Sequence, residues 1–286
     1  MRDHLQLFIT LGLACSDSAV DTINALLADW PEGINRLDVD GRTPLMLVAG
    51  CPVRYSSSAS APVVTCCVDG LLAAGADVTA IDASGRNAIM LAAMAGNGGV
   101  VGRLTAAWPE GVNSRNQLGC TPLMYAESSG CLQALLAAGA DTMAADTLGR
   151  TAMMFAANNQ DETCLPLLLE VAKEGINQAD NNGVTALMYA AANLCTGNVT
   201  LLVETGAVMH ETDNAGKTAL DHAIAYVTPE IEDDLREDNE ADKHTIVVFL
   251  KTAMVAKELH DSIRLHRNAA TVTPAAEATT PFLDIL

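Results

Sequence analysis

The sequence predicts an all-α solenoid of stacked helix-turn-helix units joined by β-hairpin-like loops. One motif recurs six times along the 286 residues. Each recurrence passes from turn chemistry into a short, alanine-rich apolar run that is too brief to stand as a helix by itself. The chain is half hydrophobic but only 3% aromatic, so it lacks the bulky residues that anchor one large core and suits thin, repeated layers of Ala, Leu and Met.

The six copies are Asp38 to Ala49 (DVDGRTPLMLVA), Asp82 to Ala93 (DASGRNAIMLAA), Asn116 to Glu127 (NQLGCTPLMYAE), Asp146 to Ala157 (DTLGRTAMMFAA), Asp180 to Ala191 (DNNGVTALMYAA) and Asp213 to Ile224 (DNAGKTALDHAI). Their glycines, Gly41, Gly85, Gly119, Gly149, Gly183 and Gly216, lie 44, 34, 30, 34 and 33 residues apart. In each copy the glycine supplies the positive φ of a tight hairpin. The threonine that follows (Thr43, Thr121, Thr151, Thr185, Thr218) is placed to cap a helix with its hydroxyl. Pro44 and Pro122 fall at the first helical position, where a missing N–H costs nothing.

A second helix is expected in each unit, closed by a shared ending: LLAAGAD at Leu71 to Asp77 and again at Leu135 to Asp141, and LLVETGA at Leu201 to Ala207. Gly75, Gly139 and Gly206 suit the left-handed position after a helix. Two units end instead in WPEGIN (Trp30 to Asn35) and WPEGVN (Trp108 to Asn113), a duplication that points to one ancestral unit.

GRTPLM followed by an Ala-rich helix and then LLAAGAD resembles the ankyrin repeat family, over residues 5–267. The family carries His after the Leu of TPLH; here that position holds Met46, Met90, Met124, Met154, Met188 and Asp221. Met fills the same space, but the polar bridge expected of His between loops is lost. The resemblance implies a partner-binding array whose hairpins and first helices line a concave side.

The expected organisation is a repeat array over 1–267: an N-terminal cap at 1–37, then repeats at 38–81, 82–115, 116–145, 146–179, 180–212 and 213–267. The apolar stretch Leu5 to Cys15 reads as a first helix, with a signal peptide as the alternative that Asp3 and the scarcity of basic charge disfavour. Excess length in the first repeat is read as a loop, Cys51 to Pro62, either a solvated insertion or a partner contact. An acidic insertion at 229–242 (PEIEDDLREDNEAD) interrupts the last repeat before an apolar helix, Ile246 to Leu259. It is a solvated face or a handle for a basic partner. The tail, 268–286, is expected to be disordered, its apolar end Pro281 to Leu286 (PFLDIL) being a candidate linear motif.

A net charge of −19 and a pI near 4.4 argue against nucleic acid or an anionic membrane as partner and favour a neutral or basic protein surface. The eight cysteines are spread through a long Ala-rich chain and read as reduced core residues of a cytoplasmic monomer. No phosphate loop, GxSxG elbow, HExxH helix or CxxC pair is present, so no catalytic residue, cofactor or metal is assigned. Cys66 and Cys67 point apart on a helix, and Asp221 beside His222 cannot face it across a turn. The leading expectation is a non-catalytic adaptor or scaffold. The alternatives are an inhibitor or immunity protein masking a basic enzyme or toxin, and a bacterial effector secreted to act on a host protein.

Candidate partner-binding residues follow from the hairpins. Leu118 and Leu148 stand at hairpin tips where nothing requires them to be inside. Asn182 and Lys217 occupy hairpin positions further along. Arg42, Arg86 and Arg150 recur at one position, as a basic row facing a carboxylate-bearing partner or as ion pairs with hairpin aspartates. The resemblance marks Met94, Ser128, Ser129, Asn158, Asn159, Asn193 and Tyr226 as partner-facing on the first helices. Tyr125, Phe155 and Tyr189 form a recurrent aromatic position, packed between repeats or exposed as an anchor row.

Overall fold

The computed structural model describes residues 33–52, 60–159, 162–225 and 243–254. Six helical pairs follow one another among the described residues. They are α1 (Pro44–Ala49) with α2 (Ser60–Ala73), and α3 (Ala88–Met94) with α4 (Gly98–Ala107). In the third pair a 3-10 turn, Pro122–Tyr125, stands in place of a first helix and precedes α5 (Ser129–Ala137). Then come α6 (Ala152–Ala157) with α7 (Cys164–Val171), and α8 (Ala186–Ala192) with α9 (Thr196–Thr205). The last pair is α10 (Ala219–Ala225) with α11, residues 243–254. Pairing between extended segments is limited, among the described residues, to isolated bridges of Ala145 with Thr151 and Ala179 with Thr185.

First helices of six or seven residues do not persist in water alone; these exist because their apolar faces are buried. Leu45 and Met46, Ile89 and Met90, Met153 and Met154, and Leu187 and Met188 are all nearly inaccessible. Ala49, Ala93, Ala157 and Ala191 are fully buried and let neighbouring helices approach. The second helices answer with Val68 and Leu71, Val101 and Leu104, Leu132 and Leu135, Leu165 and Leu168, and Val199 and Leu202. Each fully buried Leu or Met contributes roughly 1.5–3 kcal/mol relative to exposure, which outweighs the weak propensity of so short a helix.

The caps behave as the sequence predicts where their oxygens reach. Thr43 and Thr185 accept from the N–H of Met46 and Met188 at 3.3 and 3.4 Å, and Asn87 does the same for Met90 at 2.9 Å. Two of the methionines at the family's His position make a local polar contact. The thioether sulfurs of Met124 and Met188 each accept the backbone N–H of the capping threonine, Thr121 and Thr185, at 3.4 Å. Sulfur is a weak acceptor but still an acceptor, and the contact stays within one unit. Asp221 goes further, its carboxylate receiving both the N–H and the hydroxyl of Thr218.

The hairpins stack on one another through backbone bonds. The N–H groups of Ala83, Gln117, Thr147, Asn181 and Asn214 donate to the carbonyls of Asp40, Ser84, Leu118, Leu148 and Asn182 in the preceding hairpin, at 2.8–3.2 Å. Glycine is required here on two counts. Gly119 has φ +76°, and a Cβ on it would lie 3.0 Å from the Thr147 nitrogen that makes the stacking bond.

The repeat ends alternate, a regularity longer than the WPEG duplication alone. Asn35, Asn113 and Asn177 close EGIN, EGVN and EGIN strings. Asn35 accepts from the N–H of Asp77 at 2.7 Å and donates to the Gly75 carbonyl at 3.3 Å. Asn113 does the same with Asp141 and Gly139, at 2.8 and 3.2 Å, and Asn177 accepts from Val208 at 2.8 Å. Each asparagine thus clamps the end of the following repeat. In the WPEG version the Trp108 ring lies over Gly111, leaving no room for a side chain there.

Two expectations are corrected. The loop predicted at 51–62 is already helical from Ser60, because Pro62 is tolerated in a first helical turn. Ser128 and Ser129, expected on a first helix, are the cap and first residue of α5. The cap over 1–32, the centre of the 51–62 loop, Tyr226, the acidic insertion 229–242 and the tail 268–286 lie outside the described residues.

Gly119→Ala is expected to lower stability by about 2 kcal/mol through backbone strain and loss of the Thr147 bond. Asn113→Ala, at an exposed clamp, is expected to cost about 1 kcal/mol. Urea unfolding of the two variants measures both; equal midpoints for Gly119→Ala and the natural protein would refute the strained hairpin.

Candidate functional site

Every described hairpin is organised by one side-chain oxygen. Oδ1 of Asp38, Asp82, Asn116, Asp146, Asp180 and Asp213 accepts two backbone N–H groups, two and four residues on, at 2.8–2.9 Å. This ties the loop into an Asx turn. The second oxygen is then satisfied from one of two sources. Where the residue four on is arginine, the guanidinium takes it: Arg42 with Asp38 at 3.2 Å, Arg86 with Asp82 and Arg150 with Asp146 each at 2.7 Å. Where that residue is Val184 or Lys217, a ring nine residues on supplies the partner: the Tyr189 hydroxyl donates to Asp180 and the His222 Nε2 faces Asp213, both at 2.9 Å. In the third hairpin the Asn116 amide donates to the Tyr125 hydroxyl at 2.8 Å.

The ion pairs and the packing that were one reading of the arginines and the aromatics are both present in the structure. The arginines are ion pairs within their hairpins, with Arg42 also reaching Asp40 and Arg150 stacked 4.7 Å from the Phe155 ring centre. Tyr125, Phe155 and Tyr189 are half-buried and packed against the core. His222 belongs to Asp213, while Asp221 caps α10, so the adjacent acid and histidine do not act together. Cys67 is buried and Cys66 exposed on α2. Among the described residues no cluster of His, Cys, Asp or Glu could hold a metal.

Burial alone would raise the Asp82 pKa, but the Arg86 guanidinium and the N–H groups of Arg86 and Ser84 outweigh it and hold the carboxyl below its usual range. The Tyr189 phenol is pushed up to about 12, first by burial and then by its hydrogen bond to Asp180.

The remaining candidates lie on the hairpins and at the C-terminal ends of first helices. Leu118 and Leu148 are 58% and 49% exposed on adjacent hairpins, and Val39 on the first hairpin is fully exposed. Asn182 and Lys217 are exposed at the tips of the fifth and sixth. Asn158 is exposed, Asn159 and Asn193 are half-buried, and the Asn193 amide donates to the Asn158 carboxamide oxygen across the two repeats.

The sequence reading missed a notch between α3 and α6. Seven residues separate Thr121 from Ser128, the caps of the third pair, against ten between Asn87 and Asn97 and ten between Thr185 and Cys195. The shortage falls on the first helix, which contracts to a 3-10 turn. The chain then bends back, with Glu127 N–H donating to the Ala93 carbonyl at 3.3 Å and the Ser128 hydroxyl to Gly96 at 3.0 Å. A pocket of about 620 Å³ is left, with Leu123, Tyr125, Leu132, Phe155 and Leu168 among the residues that line it. Its signal in the sequence was the short glycine spacing from Gly119 to Gly149.

A family model described as ankyrin repeats matches residues 59–146 and 127–213, more than half of the chain. The chain belongs to the ankyrin repeat family. It is 33% identical over 156 residues to the human B-cell lymphoma 3 protein, covering 51% of this chain and 34% of that protein. It is 31% identical over 204 residues to human transient receptor potential cation channel subfamily A member 1, covering 66% of this chain and 17% of that one. The ankyrin array here therefore spans about a third, or less, of the length of these curated relatives. The crystal structure of the ankyrin repeat domain of Bcl-3, titled a unique member of the IkappaB protein family, matches with a TM-score of 0.53 and 26% identity, covering 76% of this chain and 92% of that chain. An ankyrin array of this kind is a protein-interaction module. No helix among the described residues is long and apolar enough to cross a membrane.

Because the folded Asp82 pKa is depressed, its stabilisation is complete above about pH 4 and is lost as pH falls through the folded value. Asp82→Asn is expected to flatten the acid limb of a stability–pH profile. The raised Tyr189 value has the opposite sign: its contribution is complete below about pH 10 and lost as pH rises toward the folded pKa. Ultraviolet titration is expected to show a late-ionising tyrosine that disappears in Tyr189→Phe; a profile unchanged by the substitution would refute it.

Proposed function

We propose that this array is a non-catalytic adaptor or scaffold that holds a neutral or basic partner protein on the face formed by its hairpins and first helices. The observation that carries this reading is the exposure of Leu118 and Leu148 on two adjacent, rigid hairpins. Their carbonyls are fixed by the N–H groups of Thr147 and Asn181, each at 2.9 Å. Apolar side chains on loops held in one geometry lose little freedom on docking. They are also candidates for the few residues that dominate an interface. The arginines are engaged with hairpin carboxylates, so the recognition they offer is apolar and planar stacking rather than free positive charge. The net charge of −19 steers basic partners toward the array, and it favours one second reading, an inhibitor that masks a basic enzyme.

Affinity capture from a lysate of the source cell, at low and high salt, compares the natural protein with Leu118→Glu/Leu148→Glu. A partner is expected to be retained by the natural protein and lost by at least tenfold from the variant, because each buried apolar anchor is worth more than about 1 kcal/mol. A single tight complex that weakens steeply with salt supports the inhibitor; several weaker, less salt-sensitive ones support the scaffold. Identical capture by both proteins would place the interface elsewhere.

A further inference from the structure

Two asparagines in the sequence are followed by glycine, Asn97 and Asn182. That pairing carries a chemistry of its own. With no Cβ on the following residue, its main-chain nitrogen can approach the asparagine side-chain carbon and close a five-membered ring. The structure separates the two sites. Asn97 is 3% exposed, its Oδ1 caps α4 by accepting from Val100 at 3.4 Å, and a Cβ on Gly98 would lie 2.6 Å from the Gly130 carbonyl carbon. Ring closure there requires α4 to lift off α5, against which it packs. Asn182 instead stands exposed at the tip of the fifth hairpin, and among the described residues its carboxamide has no partner. The carboxamides beside it in the stack are engaged: Asn181 donates to the Thr147 carbonyl at 3.1 Å and Asn214 to the Asn181 carbonyl at 3.0 Å. The Gly183 nitrogen is held by one turn bond, to the Asp180 carbonyl at 3.0 Å, so a local opening of the hairpin releases it. Asp40 occupies the same place before Gly41, but its charged carboxylate is paired with Arg42 and is a poor target for attack.

We propose that Asn182 is a site of spontaneous deamidation, and that its conversion to isoaspartate unfastens the fifth hairpin from the sixth. The Gly183 nitrogen bonds to Cγ of Asn182, and the carboxamide nitrogen leaves as ammonia with the proton that Gly183 gives up. Water then opens the ring. Cleavage at the Cγ carbonyl gives aspartate; cleavage at the main-chain carbonyl gives isoaspartate, in which the chain runs through Cβ and Cγ and is one atom longer. Ammonia is exchanged for water, so no oxidant or cofactor takes part. The longer backbone does not fit this hairpin. Gly183 has φ +81°, and a single added Cβ would already lie 2.9 Å from the Asn214 nitrogen. The Asn182 carbonyl that accepts the Asn214 N–H at 2.8 Å becomes a carboxylate hanging off the chain. Its new charge stands two residues from Asp180, which is 7% exposed, and like charges repel more strongly where water is excluded. The inference holds whatever the array binds.

The test incubates the full-length protein at mildly alkaline pH and physiological temperature beside Asn182→Ser, serine being the residue at this place in the second hairpin, Ser84. Peptide mass mapping is expected to find deamidation at Asn182 before any other described asparagine, with Asn97 intact. Methyl transfer by an isoaspartyl methyltransferase is expected to label the natural protein at least fivefold more than the variant. The converted fraction, separated by ion exchange through its added charge, is expected to exchange the Asn214 amide hydrogen at least tenfold faster than the unconverted one. The Gln117 amide, which makes the same bond between the second and third hairpins, is the reference and should be unchanged. Conversion of Asn97 ahead of Asn182, equal labelling of both proteins, or no conversion while a peptide of residues 179–186 converts completely would each overturn the site. Unaltered exchange at Asn214 in the converted fraction would overturn the unfastening.

Discussion

Everything in this array hangs on one oxygen per hairpin. An Asp or Asn Oδ1 that collects two backbone N–H groups fixes the loop, the fixed loop presents its own carbonyl and N–H to the next hairpin, and the resulting ladder sets the spacing at which short helices can share a core. Asp82, Asp146 and Asp180 are almost fully inaccessible. Burying a carboxylate is costly unless each of its lone pairs finds a donor. Two compensating solutions appear, an arginine four residues on or a ring nine residues on, and each described hairpin built on an aspartate uses one of them. The row of arginines is therefore one of the two ways in which these loops satisfy a buried carboxylate.

The repeat itself was plain in the sequence because its constraints are local: a glycine with positive φ, a capping hydroxyl and a short apolar run all sit within a dozen residues. Arg42, Arg86 and Arg150 were visible as a pattern, but their role was not, since it depends on which way a side chain folds back within a loop. The notch was hidden for a different reason. Its lining includes Leu123, Leu132 and Leu168, residues in two repeats whose proximity is a tertiary fact, and its only trace was a short interval between glycines. That interval was legible as a number, yet assigning the missing residues to the first helix required knowing that Ser128 caps the second. Replacement of the family's His by Met was read as the loss of a bridge between loops, and the sulfurs of Met124 and Met188 instead make a local contact with the capping threonine of their own unit.

The face that carries the candidate residues is unusual in being assembled from side chains with little to do in the core. Leu118 and Leu148 leave about half of their surface exposed and Asn158 is exposed, while Met and Ala of the first helices are held at near-complete burial. Substitution of these exposed positions would therefore disturb the stack less than substitution of the buried Met and Ala of the first helices.

The asparagine clamps divide the molecule in a way that the uniform repeat does not suggest. Asn35, Asn113 and Asn177 reach forward, whereas the carboxylates at the other kind of ending, Asp77 and Asp141, turn back onto Thr79 and Met143 of their own turns. Repeat endings therefore come in two kinds, alternating along the stack. Lengthening or shortening such an array by whole pairs of repeats keeps this alternation, whereas an odd change leaves one asparagine without the ending that it holds.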